Sequence, residues 1–390
     1  MDHVGGHNRW PQTNRKSISY NRYSSAAFES LARMATSTWG PSMRRARLIY
    51  SAAVRPAMMY GAQSWGTQDG KAAKASVMRP LKLVQNTCLR RITGGYKRTP
   101  TAALEREADI PPLDLYMETI ALQRAESTAD YPVYRNIREA HDHIWLQMSA
   151  TTRGPARRNS AAPSVRPPTN LERARQVAKE RIREVQRDDA QQTGNQRGSA
   201  RPNRRDRGRS RPRGLRQTEP DQAETGTERK PKQALAEWAN REWKKRWMHI
   251  AAGKQAATWN TPWEMSPSVL YDNLPKHQST ALMLLRTEVI GLNDWLSSIG
   301  VPDVLPRCDC GWPRQTVRHV VMHCPAYEQQ RVELIRETGS EDLRAILTGV
   351  ARAQAAARWF VRCGILAQFR TAYEVDCEDT TGYAPFQTLR

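Results

Sequence analysis

The chain has 390 residues, with 61 Lys and Arg against 39 Asp and Glu, for a net charge of +22. No run approaches 18 apolar residues, which excludes a membrane-spanning helix from the expectation, and a mean hydropathy of −0.74 with only four Phe argues against one large core. Six cysteines, three of them within 17 residues, are not a secreted disulfide framework, and the basic balance points to a polyanion partner such as RNA or DNA.

The length allows two or three domains. Residues 1–25 are polar, with Gly5, Gly6 and Pro11, and read as a flexible lead-in without the apolar core of a secretory signal. An intracellular protein, nuclear or cytoplasmic, is the expectation.

A helical module is expected over 26–149. Ala27, Phe28, Leu31 and Met34 keep helical spacing, as do Leu48, Ile49, Ala52 and Ala53 after the Gly40-Pro41 break. Leu81, Val84, Cys88, Leu89 and Ile92 make a further apolar face, closed by Gly94-Gly95. Thr99-Pro100-Thr101 signals a helix start, and Pro111-Pro112 separates it from a helix beginning at Leu113.

Over 150–232 the composition changes. No aromatic residue occurs, and 22 Lys and Arg face 10 Asp and Glu. Such a segment has too little apolar surface to offset chain entropy, so a disordered Arg-rich linker is expected, with one charged helix at Leu171–Gln186 allowed. Arg204, Arg205, Arg207, Arg209, Arg211 and Arg213 either bind phosphates or simply keep the linker solvated.

The second module, 233–377, opens on a helix with Trp238, Trp243 and Trp247 interleaved with Lys244, Lys245 and Arg246. Cations among aromatics suit stacking on bases, but tryptophans near helical spacing more often face a core, and the core reading is preferred. Amphipathic helices follow at 279–290 and 292–299, then helices at 327–337, 343–347 and 351–373, and 378–390 reads as a tail. The fold class is therefore mainly α: two helical modules joined by a linker, the second carrying a small metal box.

That box is Cys308-Asp309-Cys310-Gly311, then His319 and His323-Cys324-Pro325. Cys308, Cys310, His319 and Cys324 give C-x-C-x8-H-x4-C, a Cys3His set suited to tetrahedral Zn2+. Gly311 allows the tight turn between the first two thiols, Thr316 caps a helix carrying His319, and Pro325 ends it. His323 competes as the fourth ligand, four residues from His319; the thiolate of Cys324 is preferred. The bland alternative is unrelated cysteines beside a core histidine. Trp312 joins the nucleic-acid-binding set as an aromatic within the box.

These segments carry a resemblance. Tyr50 to Val54-Arg55-Pro56, Tyr60-Gly61 and Trp65; Leu83-Val84-Gln85-Asn86 to Leu89-Arg90-Arg91-Ile92-Thr93-Gly94; and Thr99-Pro100 to Ala108-Asp109-Ile110-Pro111-Pro112-Leu113 lie in the order found after the palm of non-LTR (LINE-like) retrotransposon reverse transcriptases. The box, from Arg286 to Arg331, resembles the Cys/His tail of the same polyproteins, with Gln315-Thr316 as a departure from its usual Glu-Thr. The resemblance implies a zinc- and nucleic-acid-binding C-terminal region, and self-association through 26–124 where a palm would otherwise pack. The family's Tyr/Phe-x-Asp-Asp motif precedes this stretch, so binding without catalysis is the leading expectation, with a truncated piece of an active RNA-directed DNA polymerase, or a degenerate relic with no function, as the alternatives. The Asp188-Asp189 pair has no aromatic neighbour or flanking strand, and nothing in 150–232 suits an RNase H domain.

Overall fold

The computed structural model describes residues 38–60, 67–68, 70–72, 75–128, 131–151, 166–199 and 230–369. The described residues are mainly helical. Their β structure is one antiparallel ladder, β1 (Thr67–Gln68) on β2 (Lys71–Ala72). The chain divides into two compact units whose boundaries do not follow the linker read from composition. One comprises Met1–Gly66, Ala73–Asp114 and Trp243–Arg390; the other comprises Thr67–Ala72 and Leu115–Glu242.

The first unit begins with α1 (Met43–Ile49), which continues through a wide π turn, Tyr50–Val54, into Arg55–Met58. The buried face is Met43, Ala46, Tyr50 and Val54, whereas Leu48 is 66% exposed. The expected inward face of Leu48, Ile49, Ala52 and Ala53 was thus misplaced. Tyr50 decides the register, because its hydroxyl donates to Gln85 Oε1 at 2.8 Å inside the unit. In α2 (Ala75–Thr93), Leu81, Cys88, Leu89 and Ile92 are buried as their spacing predicts. Gly94 ends α2 with φ +75°, and a Cβ there would sit 2.2 Å from Thr280 Oγ1, so both conformation and space demand glycine. The short α3 (Thr101–Ala108) follows Pro100 and stops at left-handed Asp109, whose carbonyl and carboxylate both accept from Arg47 Nη2.

The centre of this unit is α8 (Lys276–Thr287), named after α4 (Leu113–Thr128), α5 (Pro132–Thr151), α6 (Asn170–Ser199) and α7 (Pro231–Ala251). A one-sided amphipathic helix was expected there. Instead Ser279 to Thr287 are all buried, so α8 is enclosed. Lys276 Nζ donates to the Arg91 and Ile92 carbonyls that end α2, whereas the Thr280 hydroxyl has no hydrogen-bond partner among the described residues. α11 (Leu343–Thr348) and α12 (Val350–Arg362) pack on it, α10 (Glu328–Thr338) packs on α12, and α9 (Asn293–Ser298) follows α8 in the chain. α12 stops well short of residue 373, because Gly364 takes φ +60°.

In the second unit, residues 166–199 of the 150–232 segment are largely helical: α6 runs from Asn170 to Ser199, longer than the charged helix allowed at Leu171–Gln186. A capping box starts it, with the Thr169 amide donating to Glu172 Oε2 at 2.7 Å and the Glu172 amide to Thr169 Oγ1 at 3.3 Å. Ala174, Ala178 and Val185 then form a narrow buried stripe that compositional averaging conceals. Trp238 is buried in the same unit beneath the Arg181 guanidinium. Arg204, Arg205, Arg207, Arg209, Arg211 and Arg213 lie outside the described residues, as do 1–25 and 378–390.

Candidate metal centre

Four donors converge in the first unit. One ligand atom each from Cys308, Cys310, His319 and Cys324 lies within 4.8 Å of the others, so the cluster could hold a metal ion. Cys308 Sγ and Cys324 Sγ are 3.8 Å apart. That equals the edge of about 3.8 Å that tetrahedral thiolates at 2.3 Å from a common ion would have. Cys310 Sγ and His319 Nε2 are closer, at 3.2 Å.

Each donor has a local reason for its position. Gly311, at φ +88°, closes a turn in which its amide donates to the Cys308 carbonyl and the Cys308 amide to the Trp312 carbonyl, both at 2.9 Å. The Trp312 amide also bonds Cys310, and this lowers the thiol pKa from its ordinary value. Thr316 Oγ1 accepts the His319 amide at 3.1 Å, as its reading as a helix cap requires. Past that cap the chain winds as a π turn, His319–His323, which sends the Cys324 amide to the His319 carbonyl at 2.7 Å. The wide turn brings Cys324 back over His319 and leaves His323 exposed. Of the two histidines, His319 is the one in the cluster.

The protonation states suit metal capture. Burial holds the His319 imidazole below its usual range, with His323 and Arg331 adding to the effect, so the ring is neutral near pH 7. Burial pushes the Cys324 thiol up to about 11, so a metal must displace its proton. His319 Nδ1 is buried and has no hydrogen-bond partner among the described residues.

Two supporting residues have no signature in the spacing of the box. Gln315 Oε1 accepts the Asn293 amide at 2.8 Å, and its Nε2 lies 3.8 Å from Cys308 Sγ, which ties the thiol to α9. Buried Arg331 donates from Nε to the Val321 carbonyl at 2.9 Å and from Nη2 to the Cys324 carbonyl, clamping the end of the π turn. Only the position of Arg331 after the box hinted at it.

The remaining expected site residues are spread out. Trp312 is 55% exposed and stacks on the His319 ring, with centroids 5.4 Å apart. Trp243 and Trp247 are core residues, as preferred, Trp243 meeting Trp263 edge-on and Trp247 stacked on Trp259. Lys244 pairs with Glu264 at 2.9 Å and Arg246 with Asp114 at 3.2 Å, while Lys245 is exposed. Asp188 and Asp189 both accept from Arg241, at 2.9 and 2.7 Å, so this acidic pair is spent on a guanidinium. No helix among the described residues is long and apolar enough to cross a membrane. No family model, curated protein or solved structure matches the chain.

Proposed function

We propose that Cys308, Cys310, His319 and Cys324 hold a structural Zn2+, and that the chain is a nucleic-acid-binding region of a non-LTR retrotransposon polyprotein. The observation that carries the zinc reading is the convergence of three thiols and one neutral imidazole at near-tetrahedral spacing, a donor set of zinc's preferred softness. Four protein donors leave no open position, so the ion's role is to stabilise structure. The nucleic-acid reading is supported by the net charge and by Trp312, Arg307 and Arg318 exposed about the box. RNA and DNA are both polyanions that this surface suits.

The test is filter binding of single-stranded RNA and DNA at graded salt, with Zn2+-loaded protein and with Cys310→Ser. A net charge of +22 binds polyanions weakly by itself. The reading therefore requires affinity that falls at least tenfold in Cys310→Ser, and equal affinities would sink it. Deleting 200–229, which removes most of the Arg cluster, should flatten the slope of log K against log salt if that arm neutralises phosphates. A polymerase reading fares worse, since the Asp188 and Asp189 carboxylates are held by Arg241. Mg2+-dependent primer extension by the chain would reverse that judgement.

A further inference from the structure

The first unit contains a groove of about 360 Å³, well away in sequence from the metal cluster, between α2, α3 and the second half of α7. Lys82, Glu105, Asp114, Trp243, Arg246 and Trp247 are among its lining side chains. Its volume falls at the lower end of the range for small-ligand sites, and it combines a rigid aromatic wall with a few converging polar groups. The wall is fixed by packing: Trp243 meets Trp263 edge-on at 5.3 Å, and Trp247 stacks on Trp259 at 4.8 Å.

The polar groups fall into two sets. Asp114 pairs with both Lys82, at 3.3 Å, and Arg246, at 3.2 Å, giving two cations around one carboxylate at the half-exposed rim. Glu105 is only 9% exposed and has no ion pair among the described residues. Its one hydrogen bond there comes from Gln85 Nε2 to Oε1, at 3.3 Å, and Gln85 is oriented in turn by Tyr50. A nine-tenths-buried carboxyl without a cation is costly unless something else satisfies it.

We propose that this groove binds a nucleotide, with Glu105 reading the base edge and the Lys82–Asp114–Arg246 rim holding its phosphate. A carboxylate accepts the two parallel N–H groups of guanine; a protonated carboxyl, with one donor and one acceptor, matches the edge of adenine or cytosine. Uracil, which sets one N–H between two carbonyls, also pairs with the protonated carboxyl, so only the carboxylate form is selective, and it favours guanine. Burial, together with Asp114, raises the Glu105 pKa to about 8, so both forms are accessible near neutral pH. The proposal shares the nucleic-acid reading above, but it does not need the metal, and its test leaves the box intact.

The experiment titrates the full-length, Zn2+-loaded chain with GMP, AMP, CMP and UMP, read by tryptophan fluorescence and by ligand-observed NMR. Above pH 8, GMP is expected to bind at least tenfold tighter than UMP. Affinity for GMP should rise with pH through 8, while affinity for AMP, CMP or UMP should fall. Glu105→Gln should erase that pH dependence. Ala102→Phe, which fills the groove from half-exposed helix surface, should abolish binding without touching the carboxyls. Cys310→Ser should leave nucleotide binding unchanged. Equal affinity for all four nucleotides above pH 8, or no binding in a chain whose far-UV spectrum is intact, would overturn the proposal. Failure of polynucleotide binding with mononucleotide binding preserved would count against the zinc-box reading alone.

Discussion

The Glu107 carboxylate and the Arg286 guanidinium form an ion pair with an N–O distance of 2.8 Å, between residues 179 apart in sequence, and both side chains are fully buried. Every acceptor and donor around them is used. Tyr271 Oη donates to Glu107 Oε2 at 2.5 Å and Thr258 Oγ1 to Oε1 at 2.7 Å. Arg286 also donates to Thr261 Oγ1 at 2.8 Å and to the Leu347 carbonyl. Burial pushes the Glu107 carboxyl up, but Arg286 and the hydrogen bonds outweigh it and hold it below its usual value. The pair joins α3 to α8 and specifies one arrangement of the core.

Glu107→Gln leaves a buried guanidinium without its counter-charge. The expected loss is about 3–5 kcal/mol of unfolding free energy, measured by urea denaturation. The double variant Glu107→Leu/Arg286→Met should recover a substantial part of that loss, since the cost lies in the orphaned charge. Additive losses in the double variant would contradict this account.

Cobalt substitution reads the metal centre directly. Co2+ added to the full chain should give thiolate charge-transfer and d–d bands of a tetrahedral site. The bands should vanish in Cys310→Ser and Cys324→Ser, weaken strongly in His319→Ala, and survive in His323→Ala. Removing the metal should loosen residues 305–316, while Val317, Val320 and Val321 keep their places in the core. Hydrogen exchange with and without chelator resolves the two segments, and uniform loss of protection across 317–323 would show that the metal holds more than the loop.

Glu105 makes stability depend on pH. Its folded pKa, about 8, lies above the ordinary value of 4.5, so the native state binds more protons between the two. Its favourable contribution is complete below pH 4.5 and is lost as pH rises through 8. Lys276, lowered by burial to about 7 from 10.5, acts in the opposite sense, adding stability as pH rises above 7. Between pH 4.5 and 7, the difference between the parent chain and Glu105→Gln reads Glu105 ahead of the opposing Lys276 titration. Over that window, stability of the parent chain relative to Glu105→Gln should fall by on the order of 1–3 kcal/mol. Parallel profiles would show that the carboxyl titrates normally.

A fragment ending at 149 should not fold as an independent domain. Cys88, Leu89, Ile92 and Leu104 belong to the same buried cluster as Leu282, Leu285 and Phe360. Cut from those partners, the N-terminal segment exposes an apolar face and is expected to self-associate. Light scattering and circular dichroism of 38–149 test this, and a cooperatively unfolding monomer would refute it.

Much of this architecture was legible wherever one rule dominated locally. The α2 face, the Gly94 stop, the Thr316 cap and the four converging donors all follow from short-range patterns. What escaped depended on distant partners. Leu48 looks like a core residue until Tyr50 is seen bonded to Gln85. The enclosed α8 looked one-sided because Lys276 and Arg286 are polar by type, and their burial becomes acceptable only through acceptors elsewhere in the chain. α6 was hidden by averaging: an alanine every fourth residue among arginines barely alters composition, yet it suffices for a buried stripe. The discontinuous first unit could not be read from a scan for composition shifts, because neither of its halves looks incomplete in isolation.

The π turn at His319–His323 amounts to one residue more than an ordinary helical turn would contain. The site is thus a matter of counting as well as chemistry. Deleting Met322 would retain all four donors and every neighbouring contact type. It would also restore a regular helical pitch and rotate Cys324 by about 100° around the axis, away from its fellow donors. A related sequence holding the same four residues one position closer together would therefore keep the letters of the motif and lose the ion.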